Sequence, residues 1–348
     1  MHCILAPPAL FCGICDGSVI EWLQMKCKSK DKKLSGGFEI FMAEDESLIA
    51  LLSRNTVYVY DLATKERVLA AKTVSNASCA VVSPDKKIIA AKNTSGTLAL
   101  VSMESGLELC RCPMEKCEGE MPFFTLDSRH VIDLDWGGRV MVFDTESKKH
   151  SILDNTRPLI RCDYIHYDFF SKRIYRFMAK NYGNSPGIVQ SMLIDEKHLD
   201  PEHAEFKTLR KFNLCLPDHM KGISFCKIHN YWLDLGRGKI IRSDKDFKVK
   251  ARLGIPKSNS ISEPKKMWVS PDEKYLFIDY GKQCTDVRQT PMSVYKNLPN
   301  LSCLFDLKSG ALVKEFEYNY VSDFTMYGED SSYIIATWSG TYIGSVES

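Results

Sequence analysis

The residues best suited to chemistry in this sequence are its clustered cysteines. Residues 12–15 form a C-x-x-C pair, and Cys110, Cys112 and Cys117 form a C-x-C-x4-C run. A zinc site needs four ligands, usually from two such pairs or from a pair plus histidines. A redox-active C-x-x-C motif lies where a helix follows a strand. Because the sequence provides neither context, we expect these cysteines to act as small buried hydrophobic residues.

The thirteen cysteines also bear on the compartment. Their odd number prevents complete pairing, so we expect reduced thiols in a chain that does not depend on disulfides. The apolar N-terminal stretch is short, lacks a preceding Lys or Arg, and is interrupted by Pro7-Pro8. No run approaches the roughly 18–20 apolar residues that span a bilayer. We therefore predict a cytoplasmic protein with no membrane partner.

Two further groups could support binding chemistry. His198, Asp200, Glu202 and His203 are metal-ligand types, but their spacing fits no known site, so we predict a solvated charged loop. The Gly-Arg-Gly-Lys run at 236–239 falls in a hairpin turn and lacks the strand-to-helix context of a phosphate loop. No G-x-S-x-G or G-x-G-x-x-G motif occurs. We therefore predict no metal and no cofactor.

Overall composition excludes several classes of protein. The 348 residues carry a net charge of +2, with 44% hydrophobic and 26% charged residues, which is typical of a soluble globular protein. A disordered chain would need low hydrophobicity and high net charge. Binding nucleic acid through bulk positive charge is excluded as well. The basic stretches at 26–33 and 239–252 are therefore expected to be solvated surfaces, and we predict no nucleic-acid partner.

The elements that must position any site come from an internal repeat. Each copy has an apolar run, a polar turn, two β-rich runs separated by a turn, and a short fourth run. The polar turns provide seven anchor residues, namely Asp45, Asp85, Asp127, Ser171, Asn230, Asp272 and Asp330. Four of the six spacings between these anchors lie between 40 and 44 residues, and the other two are 58 and 59. A period near 40 with four short strands per unit predicts an all-β propeller of four-stranded antiparallel blades.

Individual motifs show which kind of propeller this is. Ser-Pro-Asp occurs at 83–85 and 270–272, and Tyr60-Asp61, Phe143-Asp144 and Phe305-Asp306 follow at matching places in their copies. The run Cys15–Trp22 contains D-G-x-V-x-x-W spacing. Together these motifs resemble the WD40/YVTN-like class of propellers over nearly the whole chain. The resemblance implies a β-propeller, and the repeat predicts a single ring-shaped domain over residues 1–348. The one weak helical candidate, Glu196–Lys207, lies within an insertion.

The way in which the ring closes leaves two alternatives. The last copy, from Val321 onward, has room for only three strands. In many propellers an N-terminal segment supplies the missing fourth strand, and Ser18–Met25 could do so in a ring of seven blades. Alternatively, residues 1–35 form their own blade in a ring of eight. We favour seven blades, because the charged stretch at 26–33 suits a loop better than a strand of a complete first blade.

Long insertions are the candidate binding elements. We place them at about 179–188, 195–207 and 281–300, with the first and third between the second and third strands of their blades and therefore on the same face. Loops of such length are often functional. They carry residue types that are common at interfaces. The predicted binding residues are Asn181, Tyr182, Asn184, Arg288, Tyr295 and Lys296.

Function is less determined than fold. We predict a monomeric, non-catalytic scaffold that binds protein partners through loops on one face. The alternative is a propeller enzyme, a hydrolase or lyase acting on a sugar-like or small ligand at the mouth of the central channel. Glycosidases need a pair of carboxylates at a set distance, and none is marked among the 44 acidic residues. No catalytic residue is assigned, and the absence of a catalytic signature favours the scaffold.

Overall fold

A computed structural model describes most of the chain. The described residues are 31–37, 39–43, 45–112, 122–135, 138–154, 161–179, 187–195, 199–211, 223–234, 237–256, 264–282, 300–318, 321–328, 331–337 and 339–346. Every regular element within these ranges is a β-strand, and the strands form seven four-stranded antiparallel sheets. The sheets are arranged as a β-propeller, which confirms the predicted fold class.

The strands of the first four blades follow one another along the chain. Blade I contains β2 (Phe41–Met42), β3 (Leu48–Ser53), β4 (Thr56–Asp61) and β5 (Arg67–Lys72); blade II contains β6 (Ala77–Val82), β7 (Ile88–Asn93), β8 (Leu98–Ser102) and β9 (Glu108–Arg111). Blade III contains β10 (Phe123–Phe124), β11 (His130–Leu134), β12 (Val140–Asp144) and β13 (His150–Asp154); blade IV contains β14 (Arg161–Asp168), β15 (Arg173–Ala179), β16 (Gly187–Leu193) and β17 (Lys207–Lys211).

The remaining blades follow the same plan until the last one. Blade V contains β18 (Ser224–Phe225), β19 (Asn230–Asp234), β20 (Lys239–Ser243) and β21 (Val249–Gly254); blade VI contains β22 (Lys266–Val269), β23 (Tyr275–Lys282), β24 (Asn300–Asp306) and β25 (Leu312–Tyr318). Blade VII contains β26 (Val321–Tyr327), β27 (Ser332–Thr337), β28 (Gly340–Ser345) and the N-terminal strand β1 (Lys32–Leu34). In each blade we call the four strands A to D in the order given.

Strand β1 closes the ring. It pairs with β28, placing Lys33 opposite Tyr342 and Leu34 opposite Thr341. Seven blades and closure by the two ends of the chain are therefore confirmed, and the eight-blade alternative is wrong. The closing strand is Lys32–Leu34 rather than Ser18–Met25, and part of the charged stretch at 26–33 is a strand rather than a loop. As strand D, β1 leaves both lysines exposed and buries only Leu34, so this position tolerates charge.

The core lies between neighbouring blades. Val57 and Val59 of blade I pack in one cluster with Ala80 and Val82 of blade II, and equivalent clusters join other neighbours. Because neighbouring sheets cover both faces of strands B and C, these strands are apolar along most of their length. Strands D face outward, and β21 accordingly alternates between half-buried and exposed residues.

The turns between strands A and B explain the seven anchors. In six blades the residue after the anchor has a left-handed backbone conformation, with φ between 52° and 62°, at Glu46, Lys86, Ser128, Lys172, Glu273 and Ser331. In four of these turns a hydroxyl donates to the anchor carboxylate at 2.5–2.7 Å. The Ser-Pro-Asp runs are therefore tight turns in which the aspartate caps the chain reversal.

The insertion in blade IV is not helical where it is described. Residues 199–206 form turns between β16 and β17. Leu199, Ala204 and Phe206 pack against the core between blades III and IV, so apolar contacts hold this segment on the blade. His203 lies 3.4 Å from Asp200, and both side chains are about half exposed. Within the described ranges no group of three or more ligand-type residues could hold a metal.

Candidate functional site

The six binding residues predicted from the sequence cannot be located. Asn181, Tyr182, Asn184, Arg288, Tyr295 and Lys296 all lie outside the described residues. Strand β15 ends at Ala179 and β16 begins at Gly187, while β23 ends at Lys282 and β24 begins at Asn300. Both segments thus connect a strand B to a strand C and leave the sheet at the same end of the ring. Their binding role stays a prediction.

The two ends of the ring differ in the turns that form them. In an antiparallel blade the A–B and C–D turns lie at one end and the B–C loops at the other. We call these ends the A–B face and the B–C face. The predicted insertions at about 179–188 and 281–300 belong to the B–C face, whereas the one at about 195–207 connects strands C and D and belongs to the A–B face. The exposed apolar side chains and unpaired cations described below belong to the A–B face.

The A–B face is held together by contacts between successive turns. Blade I meets II through Lys86 and Asp45 at 2.7 Å, and II meets III through the Asp85 amide, which donates to Ser128 Oγ at 2.9 Å. Blade VI meets VII where Ser331 Oγ bonds Tyr275 Oη at 3.2 Å. Blade VII meets I where the Gly328 amide donates to Glu46 at 2.9 Å.

Blades IV to VI are linked more heavily at this face. Lys245 of the blade V C–D turn donates to Asp168 at 2.8 Å and to the Cys226 carbonyl, tying blade IV to blade V. The Lys227 amide donates to the Pro271 carbonyl at 3.1 Å, tying blade V to blade VI. Between blades III and IV the link is the stacking of Phe123 on Tyr167, with centroids 4.0 Å apart. The turns therefore form a rigid rim.

A pocket of about 240 Å³ opens on the A–B face. It lies among blades V, VI, VII and I and is lined by Glu46, Lys227, Ser270, Pro271, Asp272, Tyr275, Met326, Tyr327, Gly328 and Ser331. Its two carboxylates already have partners. Glu46 accepts from the Gly328 amide, and Asp272 accepts from Ser270 and from the Lys274 amide at 3.1 Å. Both groups therefore serve the turns.

Three successive A–B turns expose large apolar side chains. Leu126 of blade III, Phe170 of blade IV and Ile228 of blade V are 43%, 46% and 67% exposed. Leu126 and Phe170 immediately precede their anchors, and Ile228 lies two residues before Asn230. This difference between blades is visible in the sequence, because the residue before the anchor is proline in blades II and VI and a large apolar residue in blades III and IV. A single apolar residue in a turn carries no periodicity, so sequence patterning alone does not mark these positions as a surface patch.

Unpaired cations accompany these apolar residues. Lys172, Lys227 and Lys274 lie on the A–B turns of blades IV, V and VI and are exposed. No carboxylate of the described ranges forms an ion pair with any of the three. Arg173 of the blade IV turn, by contrast, is paired with Asp246 at 2.7 Å. The turns of these three blades therefore present positive charge next to apolar surface.

One group on this face resembles a catalytic arrangement. His229 Nδ1 lies 2.9 Å from Glu273, and Tyr231 Oη donates to the same carboxylate at 2.6 Å. Burial opposes ionisation of Glu273, but the hydrogen bonds from Tyr231 and His229 lower its pKa overall. Burial and the bond to Glu273 raise the pKa of Tyr231. The Glu273 carboxylate also accepts the His229 amide at 3.0 Å, so it acts as a junction between blades V and VI.

At the B–C face the innermost strands carry a polar group. Asp323 of β26 accepts the amides of Ile40 at 3.0 Å and of Phe324 at 2.8 Å. Burial raises the pKa of Asp323 to about 6, against the lowering effect of these bonds and of Lys266. Lys266 of β22 donates to the Ser322 carbonyl at 3.0 Å. These contacts join blades VI, VII and I around the channel.

Buried ion pairs join blades farther from the channel. Lys92 of β7 contacts Asp133 of β11 at 2.6 Å, and both side chains are only 1% exposed. Arg176 of β15 contacts Asp154 of β13 at 2.7 Å. Each pair connects neighbouring blades. The sequence carried one signal for the first pair. Lys92 is a charged residue inside an otherwise apolar strand, 41 positions before Asp133.

The described cysteines fit the prediction of packed thiols. Cys79, Cys110, Cys112, Cys226 and Cys303 are free. Cys110 and Cys112 pack against the core between blades II and III. Burial raises the pKa of both thiols, which keeps them protonated and unreactive. Cys12, Cys15 and Cys117 lie outside the described residues, so the proposed clusters themselves are not tested.

Comparison with known proteins adds information about the fold only. No protein-family model matches the chain, and no curated protein matches it. Among solved structures the chain is similar to Kuenenia stuttgartiensis hydrazine synthase, with a TM-score of 0.60 and 14% identity. The alignment covers 90% of this chain and 97% of that one. At this identity the similarity shows a shared propeller fold. Within the described ranges no helix is long and apolar enough to cross a membrane.

Proposed function

We propose that this propeller is a non-catalytic scaffold that binds a protein partner, in the manner of the WD40-like propellers that its repeats resemble. The observation that carries the proposal is the row of exposed Leu126, Phe170 and Ile228 on three adjacent turns. Apolar side chains in such positions favour a macromolecular contact. The links between turns support it further, because a rigid surface loses little entropy on binding.

The charged groups favour binding over catalysis. A general acid or base needs a proton-transfer site within reach of substrate. Glu46, Asp272 and Glu273 on the A–B face each accept hydrogen bonds from the turns. Asp323 at the B–C face accepts two backbone amides. These carboxylates are therefore engaged in maintaining the ring, which weighs against the alternative of an enzyme with its site at the channel mouth.

Affinity purification of the tagged full-length protein from its native cells tests the proposal. The variant F170S/I228S removes two exposed apolar side chains from the A–B face, and L109S/I152S removes one each from strands β9 and β13, where they are 51% and 37% exposed. We expect a partner that F170S/I228S loses and L109S/I152S retains. A third variant lacking residues 283–297 tests the predicted loop on the B–C face.

Three results would count against this assignment. Loss of the partner only on deletion of 283–297 would move the binding site to the B–C face. Equal loss in both serine variants would indicate a general effect of surface polarity. Complete absence of a partner, together with turnover of a small ligand that binds the pocket of about 240 Å³, would favour the enzyme.

A further inference from the structure

The A–B face combines apolar and positively charged groups in a way that defines the chemistry of its partner. We infer that the face of blades III to VI binds an acidic peptide segment that carries large apolar side chains. The inference rests on the proposed scaffold function and specifies the partner of that site. Three features of the described residues support it, namely the exposed apolar row, the lysines without an ion pair and the turn acids that are hydrogen-bonded within their own turns.

The apolar row provides the anchoring contacts. Phe170 is placed between blades IV and V, because Lys245 lies 5.6 Å from its ring centroid and is itself fixed by Asp168. Ile228 lies in the turn whose Cys226 carbonyl accepts from the same lysine. Phe170 and Ile228 are therefore attached to one common support. Side chains held in this way make efficient anchors for an apolar partner residue.

The lysines determine the sign of the partner's charge. Lys172 and Lys227 follow one another on blades IV and V with no ion pair to a described carboxylate, and the Lys274 ammonium of blade VI lies 4.8 Å from the Tyr275 ring centroid. Lys86, by contrast, is paired with Asp45 on the neighbouring turn. Unpaired cations beside apolar anchors attract an acidic segment and repel a basic one.

The aspartates of the same turns accept hydrogen bonds within those turns. Asp127 accepts from Thr125 Oγ1 at 2.5 Å and from the Arg129 amide at 3.0 Å. Asp272 accepts from Ser270 and from the Lys274 amide. Their carboxylates are thus engaged by the turns, whereas the Lys172 and Lys227 side chains are exposed. The face therefore favours carboxylates on the partner.

A peptide fits these features better than a nucleic acid. Phosphate contacts would satisfy the lysines, but Leu126 and Ile228 would then lie against a polar backbone without an apolar partner. An amphipathic acidic segment satisfies both kinds of group at once.

Selection of a randomised peptide library on the full-length protein tests the inference. We expect the enriched peptides, about 15 residues long, to combine Asp or Glu with Leu, Phe or Trp. Synthetic copies should bind with an affinity that falls as salt is raised, because exposed charges are screened. Fluorescence anisotropy should show about tenfold weaker binding to F170S/I228S and to K172E/K227E. The matched controls L109S/I152S and K72E/K207E, on strands D, should bind within about twofold of the parent.

The outcomes separate this inference from the proposed function. Enrichment of basic or uncharged peptides that F170S/I228S no longer binds would overturn the acidic partner while leaving the scaffold intact. Selected peptides that bind F170S/I228S as well as the parent would overturn the site on the A–B face. Tighter binding of a single-stranded RNA than of any selected peptide would overturn the choice of partner class.

Discussion

At the scale of single residues, the polar groups that matter most are those buried between blades. Lys92 and Asp133 are nearly inaccessible, and the Lys92 ammonium also donates to the Leu134 carbonyl at 3.1 Å. Burial raises the pKa of Asp133, while the attraction of Lys92 opposes that shift. The pair therefore stabilises the blade II–III junction only as long as both members are present.

Replacing Lys92 alone should destabilise the protein strongly. Lys92→Met leaves the buried Asp133 carboxylate without its cation, and we expect the free energy of unfolding to fall by about 3–5 kcal/mol at pH 7. The loss should shrink toward acidic pH, because a protonated Asp133 carries no unpaired charge. Urea denaturation at both pH values measures this. The double variant K92M/D133L should recover most of the stability, and equal losses in the single and double variants would contradict the ion-pair account.

Asp323 should make stability depend on pH in a predictable direction. Its pKa is about 6 in the folded chain, above the ordinary value of 3.8. Because the pKa is raised on folding, the protonated Asp323 carboxyl stabilises the fold below about pH 4. This stabilisation is lost as the pH rises through 6. Relative to wild type, Asp323→Asn should therefore gain about 3 kcal/mol between pH 4 and pH 7. Denaturant unfolding across this range measures the difference, and a constant difference would show that Asp323 titrates normally.

At the scale of elements, the A–B turn is the feature that sequence predicts best. The seven anchors all lie at the reversal from strand A to strand B, or at the start of strand B in the case of Asn230. The residue that follows the anchor was not predicted to be left-handed, because Glu, Lys and Ser occupy it instead of glycine. The turns tolerate the strain since their hydroxyl and carboxylate bonds fix the backbone.

Replacing the residue after the anchor with glycine should relieve the strain of its left-handed backbone conformation. Lys172 has φ 52° and no side-chain ion pair. Lys172→Gly should raise the free energy of unfolding by up to about 1 kcal/mol, because glycine adopts this conformation freely. Lys172→Val should lower it by about 1–2 kcal/mol, since β-branched residues avoid positive φ. Thermal unfolding compares the two, and Lys207→Gly in strand β17 serves as a control that should be destabilising.

The closing strand shows where sequence analysis failed. Two of the three residues of β1 are lysines, and an outer strand needs only one buried side chain, so the usual alternation of apolar residues is too short to recognise. The acidic residue before it does have a role, because Asp31 accepts from Tyr318 at 2.6 Å and from Tyr333 at 2.9 Å. Long-range contacts of this kind leave no local pattern. The insertion loops, by contrast, were predicted from spacing alone.

At the scale of the whole molecule, the ring depends on β1 and on the contacts between blades. An open ring would expose the apolar face of blade VII. The same ring presents two different surfaces, and the described residues favour the A–B face for binding a partner.

Breaking the closure should weaken the entire ring. Leu34 is 4% exposed and packs with Ile49 of blade I and Ile343 of blade VII. Leu34→Asp would bury a charge at this junction, and we expect a loss of at least about 3 kcal/mol together with a broader unfolding transition. Leu34→Met should be nearly neutral. Calorimetry measures both, and a wild-type transition for the aspartate variant would show that the ring does not need β1.

The most direct test of the account is site-specific photo-crosslinking on the A–B face in native cells. A photoreactive amino acid would replace Ile228 in one sample and Leu109, on strand β9, in the other. We predict that the Ile228 position crosslinks to a protein segment rich in carboxylates and large apolar residues, and that the Leu109 position does not. Crosslinks to the same partner only from a reporter placed within 283–297, with none from Ile228, would contradict the assignment of function to the A–B face.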